Sequence, residues 1–224
     1  MKKHLANLLV LSVTSVALVG CVSNSAKASK TAAPAVPTLA LNELDPDTTS
    51  NDYSAGMVMK WQVLGPFSFE SKPYKKVEEG CEEAVDDPFI ENEATLQAGQ
   101  AVDGAEWKEY DAFNEDGHVN IDDLYDEVDY AAAYLVANVK SPKDVEGLQL
   151  LLGSDDYLRV WVNGKEVFTY MQDLRGAVED SDVAEGISLK KGWNTIVMKV
   201  VDVYGGWGAY CRIANSEGKA LVVK

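Results

Sequence analysis

Asp155 and Asp156 stand side by side between two apolar runs, and Tyr157, Arg159 and Trp161 follow them at every second position. Carboxylates accept hydrogen bonds from sugar hydroxyls, and an aromatic ring can cover the apolar C–H face of a pyranose. Adjacent acids in a turn can also cap backbone N–H groups or hold a hard cation. All three uses of Asp155 and Asp156 are open from the residues alone. A second acidic stretch, Asn114-Glu115-Asp116-Gly117-His118-Val119-Asn120-Ile121-Asp122-Asp123, sets Asp116 and Asp123 among oxygen donors at intervals that suggest Ca2+. It departs from an EF-hand, because the first ligand position falls on Ala112 and Glu does not occupy the twelfth. The competing reading is a polar turn ahead of a strand.

Hydrolytic chemistry has little to draw on. His118 is the one histidine after the first few residues, and no Gly-x-Ser-x-Gly elbow frames a serine. Paired carboxylates would suit glycoside hydrolysis, but a chain with 36 acids supplies pairs by chance. An esterase or glycosidase is therefore the third reading, and no catalytic residue is assigned. Among the aromatic residues, Trp61 and Trp193 sit in apolar runs and read as core. Trp161 shares a strand face with Tyr157 and Arg159, which is either a ligand platform or the cover of a second layer. Trp207, in Tyr204-Gly205-Gly206-Trp207-Gly208, either projects or packs tightly.

The amino terminus says where such a site would work. Lys2 and Lys3 precede an apolar stretch over residues 8–19, which ends in Leu18-Val19-Gly20-Cys21. That order is a secretory signal, and the apolar stretch is short for a membrane span, which needs about 20 predominantly apolar residues. Leu-Val-Gly-Cys resembles the bacterial lipobox, which implies a signal over 1–20, an acylated Cys21 as the first mature residue and a lipid bilayer as its partner. Several acyl chains give stable anchoring where one is marginal. Val22 and Ser23 follow, and by analogy with enterobacterial sorting a non-aspartate here implies the outer membrane, its periplasmic or surface side left open. Residues 21–56 lack a sustained apolar period and read as a tether, whose roughly 30 to 35 Å reach would hold the rest clear of the headgroups.

The formal charge is −16, and the two signal lysines account for a mature value of −18. That excludes nucleic acid and charge-driven binding to anionic lipid, both of which need clustered Lys and Arg. With Cys21 acylated, Cys81 and Cys211 remain. They either pair in an oxidising compartment or stand as separate buried thiols.

Residues 57–224 suffice for one domain with a sizeable core. Strand-like runs recur at 58–64, 130–139, 148–152, 157–162, 166–170, 183–189, 195–201 and 209–214, separated by Gly, Asn and Asp. Asn163-Gly164 favours a type I′ hairpin, since both residues accept positive φ. Alternation turns Leu158, Val160 and Val162 inward, and likewise Ile196, Met198 and Val200. No long helical period follows the signal, so the fold class is all-β with little helix.

Trp61-Gln62-Val63-Leu64-Gly65-Pro66-Phe67, the run from Gly153 to Gly164, Gly192-Trp193-Asn194 and Gly206-Trp207-Gly208 together resemble a galactose-binding-like jelly-roll β-sandwich, similar to the sugar-binding domains of family 2 glycoside hydrolases. The resemblance implies a non-catalytic carbohydrate-binding module of the bacterial envelope. The alternative is a structural subunit binding other envelope proteins, because this fold hosts both. It also implies that Trp207 lies near the Tyr157, Arg159 and Trp161 face, beside Asp155 and Asp156, and that Cys81 approaches Cys211 where the last strand pairs near the first.

Overall fold

The computed structural model describes residues 39–52, 54–72, 74 and 81–224. Cys21 and the signal lie outside them. The described residues belong to a compact unit, Val36–Lys224. In chain order they form β1 (Leu41–Thr49), β2 (Lys60–Ser68), α1 (Glu83–Asp86), β3 (Glu106–Asp111), β4 (Val119–Asn120), α2 (Asp122–Tyr125), β5 (Ala131–Ser141), β6 (Val145–Asp155), β7 (Tyr157–Val162), β8 (Lys165–Tyr170), β9 (Asp182–Leu189), β10 (Gly192–Asp202), β11 (Gly208–Ala214) and β12 (Leu221–Val223). Helix is confined to single turns, and the fold is an all-β sandwich.

The larger sheet runs β12-β1-β5-β10-β7-β8, with β2 on β5 and β3 on β2; the smaller runs β4-β11-β6-β9. Pairing is antiparallel except where Leu41, Asn42 and Glu43 of β1 run parallel to Asn138, Val139 and Lys140 of β5. The length of β5 lets it hold β1 along its last residues and β2 along its first.

Alternation places the core where the sequence predicts it. Leu158, Val160 and Val162 of β7 and Ile196, Met198 and Val200 of β10 meet Leu148, Leu150 and Leu152 of β6 and Ile213 of β11 between the sheets. Each such side chain contributes about 1.5 to 3 kcal/mol by leaving water. The β7–β8 turn has φ of 51° at Asn163 and 82° at Gly164, the pair that type I′ requires. The Asn163 side chain accepts from Thr195 N at 3.1 Å and donates to Asn194 Oδ1 at 2.8 Å, tying the hairpin tip to β10. Trp61 is core, whereas Trp193 is half-buried with the Lys140 ammonium 5.7 Å from its ring centre.

Two expectations are corrected. Residues 41–49 are a strand, not tether, so the sandwich begins before residue 57. The segment shows no sustained apolar alternation because, besides Leu44 in the core, it is held through its backbone and one buried polar side chain. Asn42, 1% exposed, donates to Lys60 O at 3.1 Å and accepts from Met59 N and Lys60 N, each at 3.2 Å. Pro46, which has no N–H, falls in the irregular stretch of the β1–β12 pairing. Second, no disulfide joins Cys81 to Cys211. Cys211 lies in the core between the sheets, while Cys81 lies in a separate cluster with Phe69, Tyr157 and Val201. The larger sheet stands between the two clusters.

That second cluster makes the architecture three-layered. α1, the single-turn 3-10 helix Glu93–Thr95 and the connections around them cover the outer face of the larger sheet. β5 is consequently buried along both faces, which is why it reads as a continuous apolar run.

Candidate functional site

The sugar platform expected on β7 is overturned. Tyr157 is 0% exposed, and Trp161, at 4%, packs with Leu64, Leu96, Tyr134, Val136 and Val197 beneath the covering layer. Arg159 points the same way and is held by Asp86 and by Thr169 Oγ1 at 3.3 Å. Trp207 is 1% exposed on the opposite side of the sheet, in the core between sheets, where its Nε1 donates to Val200 O at 3.4 Å. Of the two readings of that outer face, the second layer is the one realised. A signal for it was present in the sequence: Ile196-Val197-Met198 and Val200-Val201 are apolar at successive positions, which marks a strand covered on both faces, and so the Trp161 face too.

Asp155 and Asp156 do come together, with a third acid that the residue pattern did not reveal. β6 ends at Asp155, β7 starts after Asp156 and β10 ends at Asp202, so strands of both sheets deliver three carboxylates to one end of the sandwich. Each offers an oxygen within 4.8 Å of the other two. The Asp155–Asp156 peptide is cis.

Asp156, 3% exposed, caps remote amides, accepting from Arg175 N at 2.9 Å and Val203 N at 3.0 Å. It thereby ties the loops after β8 and β10 to the end of β6. Its backbone oxygen accepts from Ser154 Oγ at 2.9 Å, and Ser154 Oγ in turn accepts from Arg175 Nη2 at 2.8 Å. The Arg175 guanidinium is itself committed to Asp182 and lies 3.4 Å from the centre of the Tyr170 ring. Asp155 accepts from the Ala177 amide and is half-buried. Asp202 is 1% exposed, and neither of its carboxylate oxygens has a hydrogen-bond partner.

Burial raises all three acids, and repulsion from neighbouring carboxylates adds to it at Asp155 and Asp202. Asp155 is pushed up to about 7 by burial and then by Asp156. Asp202 reaches about 9 through burial, then Asp156, Asp129, Asp155 and Asp122. Asp156 is also raised, chiefly by burial, against the opposing pull of its amide donors. Burying a charge without a partner costs several kcal/mol, so this cluster is unfavourable as bare carboxylates.

Asp116 and Asp123 belong to no such group among the described residues. Asp116 follows a 3-10 turn at φ 51°, exposed to solvent. Asp123 lies in an open acidic recess with Asn120, Asp122, Asp126 and Glu127. Asp122 turns inward instead and accepts from Trp207 N at 2.9 Å. His118 stacks on Tyr210 with ring centres 4.8 Å apart.

Above the buried acids the surface is aromatic and glycine-rich. Tyr204 is 52% exposed, the Gly205 amide donates to Asp129 Oδ1 at 3.4 Å, and a Cβ on Gly206 would lie 2.8 Å from Asp155 Oδ2. A side chain at position 206 would displace the Asp155 carboxylate, on which this loop rests directly.

No protein-family model matches the chain, and no curated protein matches it. Among solved structures it is similar to a family 35 carbohydrate-binding module from Clostridium thermocellum, at 19% identity over 41% of this chain and 74% of that one, with a TM-score of 0.28. It is also similar to a β-glucosidase from Kluyveromyces marxianus, at 13% identity over 69% of this chain and 15% of that one, with a TM-score of 0.30. The chain thus spans under a sixth of the β-glucosidase. At these TM-scores neither likeness says anything of ligand.

Proposed function

We propose that the protein is a non-catalytic glycan-binding module, held at a bacterial outer membrane by acylated Cys21, whose ligand meets the loop end of the sandwich rather than a sheet face. The observation that carries this reading is Tyr204, half-exposed on a glycine-rich loop that rests on the partly accessible Asp155. A ring of this kind covers the apolar face of a pyranose while carboxylates accept from its hydroxyls. Hydrolysis is disfavoured by the same geometry. A glycosidase needs two carboxylates flanking the glycosidic bond, and here Asp156 and Asp202 are buried beneath the surface.

The test is a glycan array probed with the full-length protein in detergent, beside Tyr204→Ala. Selective retention that weakens about tenfold in the variant at unchanged melting temperature supports the reading, a tenfold loss being about 1.4 kcal/mol. Absence of any retained glycan overturns it. The second reading, a subunit of an envelope assembly, is favoured by the exposure of Val183 on the outer strand β9 and of Val178 just before it. Anchoring is tested separately: Cys21→Ser should abolish palmitate labelling.

A further inference from the structure

We propose that Asp155, Asp156 and Asp202 bind one divalent cation, calcium, at the loop end of the sandwich. The proposal stands apart from glycan binding, because it is read with metal alone.

Two observations carry it. The first is spacing. Ligand oxygens on a calcium ion lie 2.3 to 2.6 Å from it, so the farthest pair is separated by about 4.6 to 5.2 Å, and three carboxylates mutually within 4.8 Å fit that sphere. Magnesium, at about 2.0 to 2.1 Å, would draw the most distant pair closer and demands near-ideal octahedral geometry. Zinc and its neighbours favour imidazole or thiolate, and no His or Cys belongs to this group.

The second observation is Asp202. Its side chain is 1% exposed, lies within the group and has no hydrogen-bond donor at either oxygen. Asp156 is satisfied by amides and Asp155 by one amide, but Asp202 has nothing to balance it. The nearby Arg175 is already committed to Asp182 and Ser154. Asp122 and Asp129 face the group from α2 and the segment before β5 and add further negative potential. A hard cation supplies the missing partner to all three carboxylates at once. Asp155, being half-buried, leaves a side open to water for the remaining coordination positions.

The experiment uses the full-length protein in detergent after chelator treatment, titrated calorimetrically with calcium chloride and melted in calcium or chelator. The expected result is one calcium per chain and a melting temperature about 5 to 10 °C higher at a hundredfold excess over Kd. Asp202→Asn should weaken binding at least tenfold and remove most of that rise, while Asp123→Asn changes neither. Should Asp202→Asn fail to fold, Asp155→Asn, at a half-buried position, gives the same reading. Wild-type protein that takes up no calcium overturns the proposal, as does binding that survives Asp202→Asn and Asp155→Asn but is lost in Asp123→Asn.

Discussion

Lys199 and Asp202 are ionisable groups buried in the same strand, and the sandwich handles them in opposite ways. Beneath the covering layer, Lys199 is 0% exposed, yet its ammonium donates to Val85 O at 3.0 Å and Asp87 O at 2.6 Å and lies 3.5 Å from Glu93. Glu93 also accepts from Tyr134 Oη at 2.6 Å. Three residues further along the same strand, Asp202 is as deeply buried and has no such partners. The lysine pins the covering layer to the sheet. The aspartate has no comparable packing partners among the described residues, and on the calcium proposal that contrast separates a structural charge from a metal-binding one.

The largest effect should come from the structural side. Trp161→Ala removes a buried ring from beneath the covering layer and should cost about 3 to 5 kcal/mol, read by denaturant unfolding. A change under about 1 kcal/mol would mean that the layer is not closed over β7, and the comparison would fail.

Lys199 gives the next effect, through pH. Its pKa is lowered to about 8 from 10.5, first by burial, with Glu93 opposing. Between those values the unfolded chain holds a proton that the native state has released, so stability rises with pH across that window and is lost as pH falls through about 8. The gain is about 3 kcal/mol at most. Subtracting the unfolding profile of Lys199→Met from that of the wild type isolates it. A flat difference would show that the carbonyls and Glu93 compensate fully for burial.

The smallest stability effect belongs to the loop end. Gly206→Ala should shift stability by less than about 1 kcal/mol, since the crowded atom is the movable end of Asp155. It should nevertheless weaken calcium binding about tenfold in calorimetry. Large destabilisation without loss of calcium would make Gly206 a packing residue and blur the distinction.

Much of the fold was legible in short-range pattern. Asn163-Gly164 fixed the β7–β8 hairpin, and the inward sets of β7 and β10 followed from alternation, because a turn type and a period of two are local properties. β1 was not legible. Its one deep polar anchor, Asn42, is paired with the backbone of residues far along the chain, which no local period records. The covering layer was equally hidden, since residues 81–102 carry as many polar as apolar positions and bury only some of them. Missing that layer turned the Trp161 face into an apparent platform.

By itself the sequence determined the all-β class, the strand pairs joined by tight turns, the net acidity and the expectation of an acylated Cys21. The adjacency of Asp155 and Asp156 was also visible, as was the chemistry two such carboxylates could perform. Only the tertiary structure decided that Trp161 and Trp207 lie on opposite sides of one sheet, that Cys81 and Cys211 are separated by it, and that Asp202 completes the carboxylate group. The reason is physical. Alternation assigns a residue to one of two faces, but whether a face meets water or another layer, and which distant strand end stands beside it, depends on segments that close over the sheet from elsewhere in the chain.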